Sequence, residues 1–205
     1  MNLTFNYRSI STLTNRAIAF AGAAHADHKR KYSNLAYISH PLAVMSLHHT
    51  ILPDHSSPEV LSAAVLHDTV EDTEVTMNDI IIAFGHEVAE YVNFLTKISV
   101  KGRDGNRNAR NAIDRAHFAK GPAQSQNIKL FDVYHNASDI IETNPRFGIT
   151  YLPECVQTIE ALDKCDEHAK AQVLNLVERL VTRNLENYKL LKEAKQHEQT
   201  QTQPA

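Results

Sequence analysis

The 205-residue sequence predicts an all-α fold organised as a single helical domain. Apolar residues recur at three- and four-residue intervals through nearly the whole chain. No period-two alternation lasts long enough to make a strand, and no internal repeat is present. Proline, glycine and Ser/Thr punctuate the apolar runs where helices should begin and end.

In chain order, Leu13, Ala17, Phe20, Ala21 and Ala24 define a first helix, with Ser11 or Thr12 to cap it. A polar loop, HKRKYSNLAY, leads to His40-Pro41. Pro41 suits the start of a second helix, where its missing N–H is no loss, and Pro53-Asp54 ends that helix after Leu52. Pro58 opens a third, with Val60, Leu61, Ala64, Val65 and Leu66 as core. Thr76 caps a short helix that runs through Phe84 to Gly85. Glu87 to Ile98 follows, with Val88, Tyr91, Val92 and Leu95 on one side. The loop VKGRDGNR precedes a helix over Ala109–Lys120, and Gly121-Pro122 precedes another over Gln124–Ile140. After the loop ETNPRFG, one or two long helices are expected from about Pro153 to Lys195. The last stretch, HEQTQTQPA, has no apolar period and reads as a disordered tail.

Composition narrows the function. Apolar content of 42% with 22% charged residues is that of a folded globular chain. A net charge of -3 argues against a broad basic face for DNA or RNA. Cys155 and Cys165 are the only cysteines, so there is no disulfide framework and no four-cysteine zinc site, and a reducing cytoplasm is the simplest compartment. Ala17–Ala24 is small and apolar but runs straight into His25, Asp27 and His28, as a buried helix face does and a signal peptide does not. No window reaches the roughly 18 continuous apolar residues of a membrane span. A soluble protein with a small-molecule partner is expected, with neither nucleic acid nor membrane.

The most informative stretch is LHDTVEDT. His67, Asp68, Glu71 and Asp72 sit together beside the apolar Val65 and Leu66. On a helix His67 shares a face with Glu71, and Asp68 with Asp72. Imidazole with carboxylate suits a divalent manganese, iron or zinc ion, and the acidic pair beyond it could handle protons. Three residues elsewhere complete the set. His40 stands at a helix start in AYISHPLAV. Asp132 lies within the apolar run Ile128, Leu130, Phe131, Val133, where a carboxylate is costly unless paired, and Asn136 follows one turn on. Taken singly, each has an ordinary explanation as a helix cap, a solvated helix end or a salt-bridge partner.

In the order H…HD…D these residues resemble the HD phosphohydrolase superfamily. AYISHPLAV, LHDTVEDT, LTKI and KLFDVYHN are similar to YI-HP-AV, LHD-VEDT, TKL and KLADRLHN of the hydrolase domain of RelA/SpoT stringent-response enzymes. The likeness covers about Leu13 to Asn144. With no synthetase or regulatory domain expected to follow, the nearest type is the stand-alone small alarmone hydrolase. It implies an HD phosphohydrolase domain over residues 1–196, with 197–205 as the tail. It implies one divalent ion per chain, manganese, held by His40, His67, Asp68 and Asp132. Glu71 and Asp72 match the acidic pair that activates water and moves protons. Arg30 and Lys31 match a nucleotide-contacting pair, and Asn136 an asparagine that holds the nucleoside. The implied reaction removes the 3′-pyrophosphate of guanosine tetra- or pentaphosphate. Where the family has KLADRLHNMR this chain has KLFDVYHNASD, so Val133 and Ser138 replace basic residues and Asp139 is acidic. An adenosine alarmone as substrate, or a nucleotide sensor without turnover, are the alternatives. The C-terminal pattern of Val173, Leu174, Leu176, Val177, Leu180 and Val181 fits either a brace for the site or a subunit interface.

Overall fold

The computed structural model describes residues 11–201, with side chains to residue 190. The fold is all-α: α1 (Thr12–Ala24), α2 (Ser39–Ile51), α3 (Pro58–Leu66), α4 (Thr69–Asp72), α5 (Met77–Phe84), α6 (His86–Asn93), α7 (Arg107–Lys120), α8 (Ala123–Thr143), α9 (Pro145–Ala161) and α10 (Glu167–Gln201). Among the described residues the only β-type pairing is an isolated antiparallel bridge, Lys29 to Ala36.

The helices start where side chains satisfy their first N–H groups. Ser11 accepts from Thr14 N and Ser57 from Val60 N, while Thr76 and Asp79 cap each other reciprocally. Gly85, at φ 88°, both ends α5 and begins α6, a conformation that costs a residue with Cβ. Helix α3 is the centre of the core: the consecutive residues Ala63, Ala64, Val65 and Leu66 are fully buried, so its last turn is enclosed on every side. It packs on α1, α2, α6 and α8. Phe131, Ile128 and Leu130 of α8 join it from one side, and α9 and α10 cover α8 from the other.

Several boundaries differ from expectation, each for a visible reason. Helix α2 begins at Ser39, so His40 and Pro41 lie inside its first turn, where no intrahelical N–H bond is needed. Helix α6 stops at Asn93 instead of Ile98, because the Asp114 carboxylate accepts the N–H groups of Ile98 and Ser99 at 3.0 and 2.9 Å and draws the chain out of the helix. Leu95 is buried all the same. The segment ETNPRFG is not a loop. Asn144 caps α9 by accepting from Phe147 N at 3.1 Å, and Pro145 is its first residue. Pro153 lies inside that helix, where burial of Leu152, Cys155 and Ile159 offsets the lost hydrogen bond.

The long C-terminal segment is two helices. Gln126 Oε1 accepts from Lys164 N and Asn127 Oδ1 from Asp166 N, each at 2.8 Å, so the first turns of α8 pin the connection. Helix α10 continues to Gln201, beyond the expected helix end near Lys195. No Gly or Pro intervenes in the sequence before Pro204 to stop it. Residues 202–205 of the expected tail, and 1–10 at the other end, lie outside the described residues.

Candidate metal centre and active site

The core helices bring ligating atoms of His40, His67 and Asp132 within 4.8 Å of one another, and set Asp68 against both imidazoles. His40 comes from the first turn of α2, His67 and Asp68 from the turn between α3 and α4, and Asp132 from the middle of α8. His67 and Asp68 keep helical backbone angles but interrupt the helix, and Asp72 N still bonds Asp68 O at 3.0 Å. His40 Nε2 lies 3.0 Å from Asp132 Oδ1 and 3.6 Å from Asp68 Oδ2. His67 Nε2 lies 3.1 Å from Asp68 Oδ2 and 3.6 Å from Asp132 Oδ1. Ligands bound to one ion at roughly 2.0–2.2 Å stand about this far from each other.

Supporting contacts aim these atoms inward. His67 Nδ1 donates to Ala64 O at 2.8 Å, which turns the Nε2 lone pair toward the cluster. That Nε2 is buried and makes no hydrogen bond of acceptable geometry despite the nearby oxygens, as expected of an atom placed to meet a cation. His40 Nδ1 lies 2.9 Å from His135 Nδ1. Burial, then His40 and Arg30, push the His135 pKa down to about 4, so its neutral ring can accept from His40 and leave His40 Nε2 bare. Asp132 gives Oδ1 to the cluster and Oδ2 to the buried Lys129 Nζ at 2.8 Å, and Asn136 Nδ2 donates to Oδ1 at 2.7 Å. Lys129 also lies 4.4 Å over the Phe118 ring.

The electrostatics call for positive charge here. Burial alone would lower the His67 pKa, but the Asp68 and Asp132 carboxylates outweigh it and raise it to about 10. The carboxyls go the other way. Burial opposes ionisation of Asp68, yet His67 and His40 hold it below the usual range. Lys129, His40 and His67 do the same for Asp132.

Glu71 and Asp72 line the cavity that opens on the cluster, a space of about 470 Å³. Glu71 is paired with the Lys97 ammonium and accepts from Lys97 N at 3.3 Å. Asp72 is raised by burial and by the Asp68 and Glu71 charges. Tyr37 Oη lies 2.7 Å from both Asp68 Oδ2 and Asp72 Oδ2. One hydroxyl has one proton, so Tyr37 bridges the two carboxylates by sharing a single donor between them.

The expected nucleotide contacts are partly assembled. Arg30 Nη2 bonds Asn136 Oδ1 and Asp139 Oδ2, each at 2.9 Å, and lines the cavity with Asn136. The turn that presents it is closed by Arg30 N to Leu35 O and by Asn34 at φ 58°. Lys31 is set apart, with its ammonium 5.2 Å over Tyr32, in an adjoining pocket of about 270 Å³ shared with Phe147 and Tyr151.

Tyr37, Lys97, Lys129 and His135 each stand inside one of the motifs above, yet their part in the site follows only from the fold. The cationic residues of α7 carry no motif at all, and only the fold brings them to the cavity.

Residues 17–141 match the HD domain family, and the chain belongs to it. Among its relatives, the guanosine-3′,5′-bis(diphosphate) 3′-pyrophosphohydrolase MESH1 of Xenopus tropicalis is 31% identical over 140 residues, 67% of this chain and 74% of that protein. The guanosine-3′,5′-bis(diphosphate) 3′-pyrophosphohydrolase of Aquifex aeolicus is 43% identical over 83 residues, 40% of this chain. A probable enzyme of the same name from Synechocystis is 40% identical over 84 residues, 41% of this chain. The matched segment spans only 11% and 10% of those two bacterial relatives. A solved structure described as a metazoan ortholog of SpoT that hydrolyses ppGpp aligns with a TM-score of 0.72 at 22% identity, over 82% of this chain and 95% of that one, and shows the fold. No helix among the described residues is long and apolar enough to cross a membrane.

Proposed function

We propose that this chain is a manganese-dependent 3′-pyrophosphohydrolase of guanosine tetra- and pentaphosphate, acting in the cytoplasm. The carrying observation is the convergence of His40, His67, Asp68 and Asp132, with the bare His67 Nε2 among them, at the floor of a cavity holding Glu71 and Asp72. The first relatives named for this reaction carry the substrate assignment.

When bound by these four residues, one divalent ion supplies a water of lowered pKa and polarises the phosphoryl oxygen. The chain does the rest. Glu71, held by Lys97, takes the proton of the attacking water. Asp72, whose pKa is raised by burial and by its acidic neighbours, is the residue placed to give a proton to the departing O3′. The bond between O3′ and phosphorus breaks, hydroxide ends on the pyrophosphate, and the nucleoside 5′-di- or triphosphate leaves with its 3′-hydroxyl restored. Tyr37 fixes Asp72 relative to Asp68, and Arg30 with Asn136 orients the nucleoside.

The test is manganese-dependent release of pyrophosphate from guanosine tetraphosphate, with Asp68→Ala and Glu71→Ala alongside. Release by the wild type and not by either variant supports the reading. Manganese binding without release would overturn it, and release from the adenosine analogue alone would replace the substrate.

A further inference from the structure

Helix α7 forms a wall of the same cavity. Arg107, Arg110, Asn111, Asp114, Arg115 and Phe118 line it, and their spacing of three and four places them on one helical face. Lys101 of the preceding loop joins them. The charges of this wall are not balanced from within. Arg107 is held by a two-pronged pair with Glu154, at 2.8 and 2.7 Å. Asp114, the acidic residue of the face, is saturated by the N–H groups of Ile98 and Ser99 and by the Ser99 hydroxyl. Lys101, Arg110 and Arg115 form no ion pair among the described residues; Arg110 donates to the Gly105 carbonyl at 2.7 Å and feels Asp104 only as a nearby charge, that carboxylate being paired with Arg103.

Arg115 is the second, independent sign. Its Nη1 is buried and has no hydrogen-bond acceptor. A guanidinium N–H removed from water without a partner is costly, and an anion entering the cavity would satisfy it. Arginine's planar fork suits phosphate oxygens better than any other side chain. The cations nearer the metal cluster are already committed: Lys129 to Asp132, Lys97 to Glu71, Arg30 to Asn136 and Asp139.

We infer that the Arg110–Arg115 face of α7 is a second phosphate site, which holds the 5′-diphosphate or triphosphate of the nucleotide while the metal cluster takes the 3′-pyrophosphate. This rests on the proposed reaction, and it adds that the 5′ chain is read by the protein, so a substrate with phosphate at both ends of the ribose is the one preferred.

The experiment separates the two ideas by using product as well as substrate. Calorimetry on the full-length protein in chelator compares guanosine 5′-diphosphate with guanosine, for wild type, Arg110→Gln, Arg115→Gln and the double variant. We expect the diphosphate to bind about ten-fold or more tighter than guanosine, the scale of charged hydrogen bonds. The double variant should lose most of that difference and leave guanosine binding unchanged. Kinetically, the same substitutions should raise KM for guanosine tetraphosphate and spare kcat. Removing the unsatisfied Arg115 should not lower Tm, which guards against misreading an unfolded variant. Equal binding of diphosphate and guanosine, or a difference that survives the double variant, overturns this inference even if guanosine tetraphosphate is hydrolysed. Discrimination without turnover would leave the α7 site standing and remove the pyrophosphohydrolase reading.

Discussion

His48 and His67 are both fully buried imidazoles, and they behave in opposite ways. His48, near the end of α2, gives Nδ1 to a 2.9 Å contact with Ser56 Oγ and packs edge-on against Phe131. Burial, aided by His55 and His49, pushes its pKa down to about 4. His67 meets the same burial and is raised to about 10 by Asp68 and Asp132. Both leave Nε2 without a hydrogen bond. An unpartnered buried imidazole nitrogen is therefore no cation site by itself. The two carboxylates make the difference, because they make positive charge the stable occupant of that point.

The hardest blow to this contrast is to remove a carboxylate. Asp132→Asn should turn the surroundings of His67 toward those of His48 and cost more than the roughly 100-fold typical of losing a supporting partner of a metal ligand. Manganese titration of the full chain, beside pyrophosphate release, checks it. Retained stoichiometric manganese binding in Asp132→Asn and in Asp68→Ala would break the comparison. Next in size, Glu71→Gln and Asp72→Asn should each lower kcat by roughly 10²–10⁴-fold with manganese affinity kept, since they are assigned to protons and not to the ion. A higher manganese concentration needed by either variant would move that residue into the ligand set.

How much of this was legible in the sequence follows from how local each signal is. His67, Asp68, Glu71 and Asp72 are neighbours in the chain, so their grouping could be read directly. His40 and Asp132 could be joined to them because each carries its own motif and each is out of place, one at a proline-marked helix start and one in an apolar run. The cores of α1, α3 and α8 were legible from periodicity. The end of α6 was not, because Asp114, far along the chain, takes the N–H groups that would have continued the helix. Helix α9 was hidden by Pro145, Gly148 and Pro153. Pro145 is a helix start. Gly148 leaves room for the Asn184 side chain, whose Nδ2 would lie 2.9 Å from a Cβ there. The α7 face is invisible without the fold, since its arginines gain meaning only from the cavity wall they form.

The His48 side of the comparison has its own test, in stability. In the folded state His48 is neutral down to about pH 4, whereas in the unfolded chain it takes a proton near pH 6.5. Protonation thus favours the unfolded state. The contribution is full above pH 6.5 and is lost as pH falls from there toward 4, a difference of roughly 3 kcal/mol for the shift. Chemical denaturation of wild type and His48→Gln between pH 7 and 4 should show the wild type losing stability faster by about that amount. Parallel curves would mean that burial does not neutralise this histidine, and the contrast with His67 would lose its reference.

The smallest effects concern the two adjacent cations. Arg30 is tied to Asn136 and Asp139 and lines the main cavity, whereas Lys31 lies over Tyr32 in the adjoining pocket. Arg30→Ala should therefore raise KM by about ten-fold, the worth of one charged hydrogen bond. Lys31→Ala acts on a more distant, solvent-screened charge and should change KM by only about two- to three-fold, with the change shrinking as salt is added. Initial rates over a range of guanosine tetraphosphate concentrations, at low and high ionic strength, distinguish them. Equal and salt-independent losses would show that Lys31 turns into the cavity when nucleotide binds, and the pair would then act as the single unit that the motif implies.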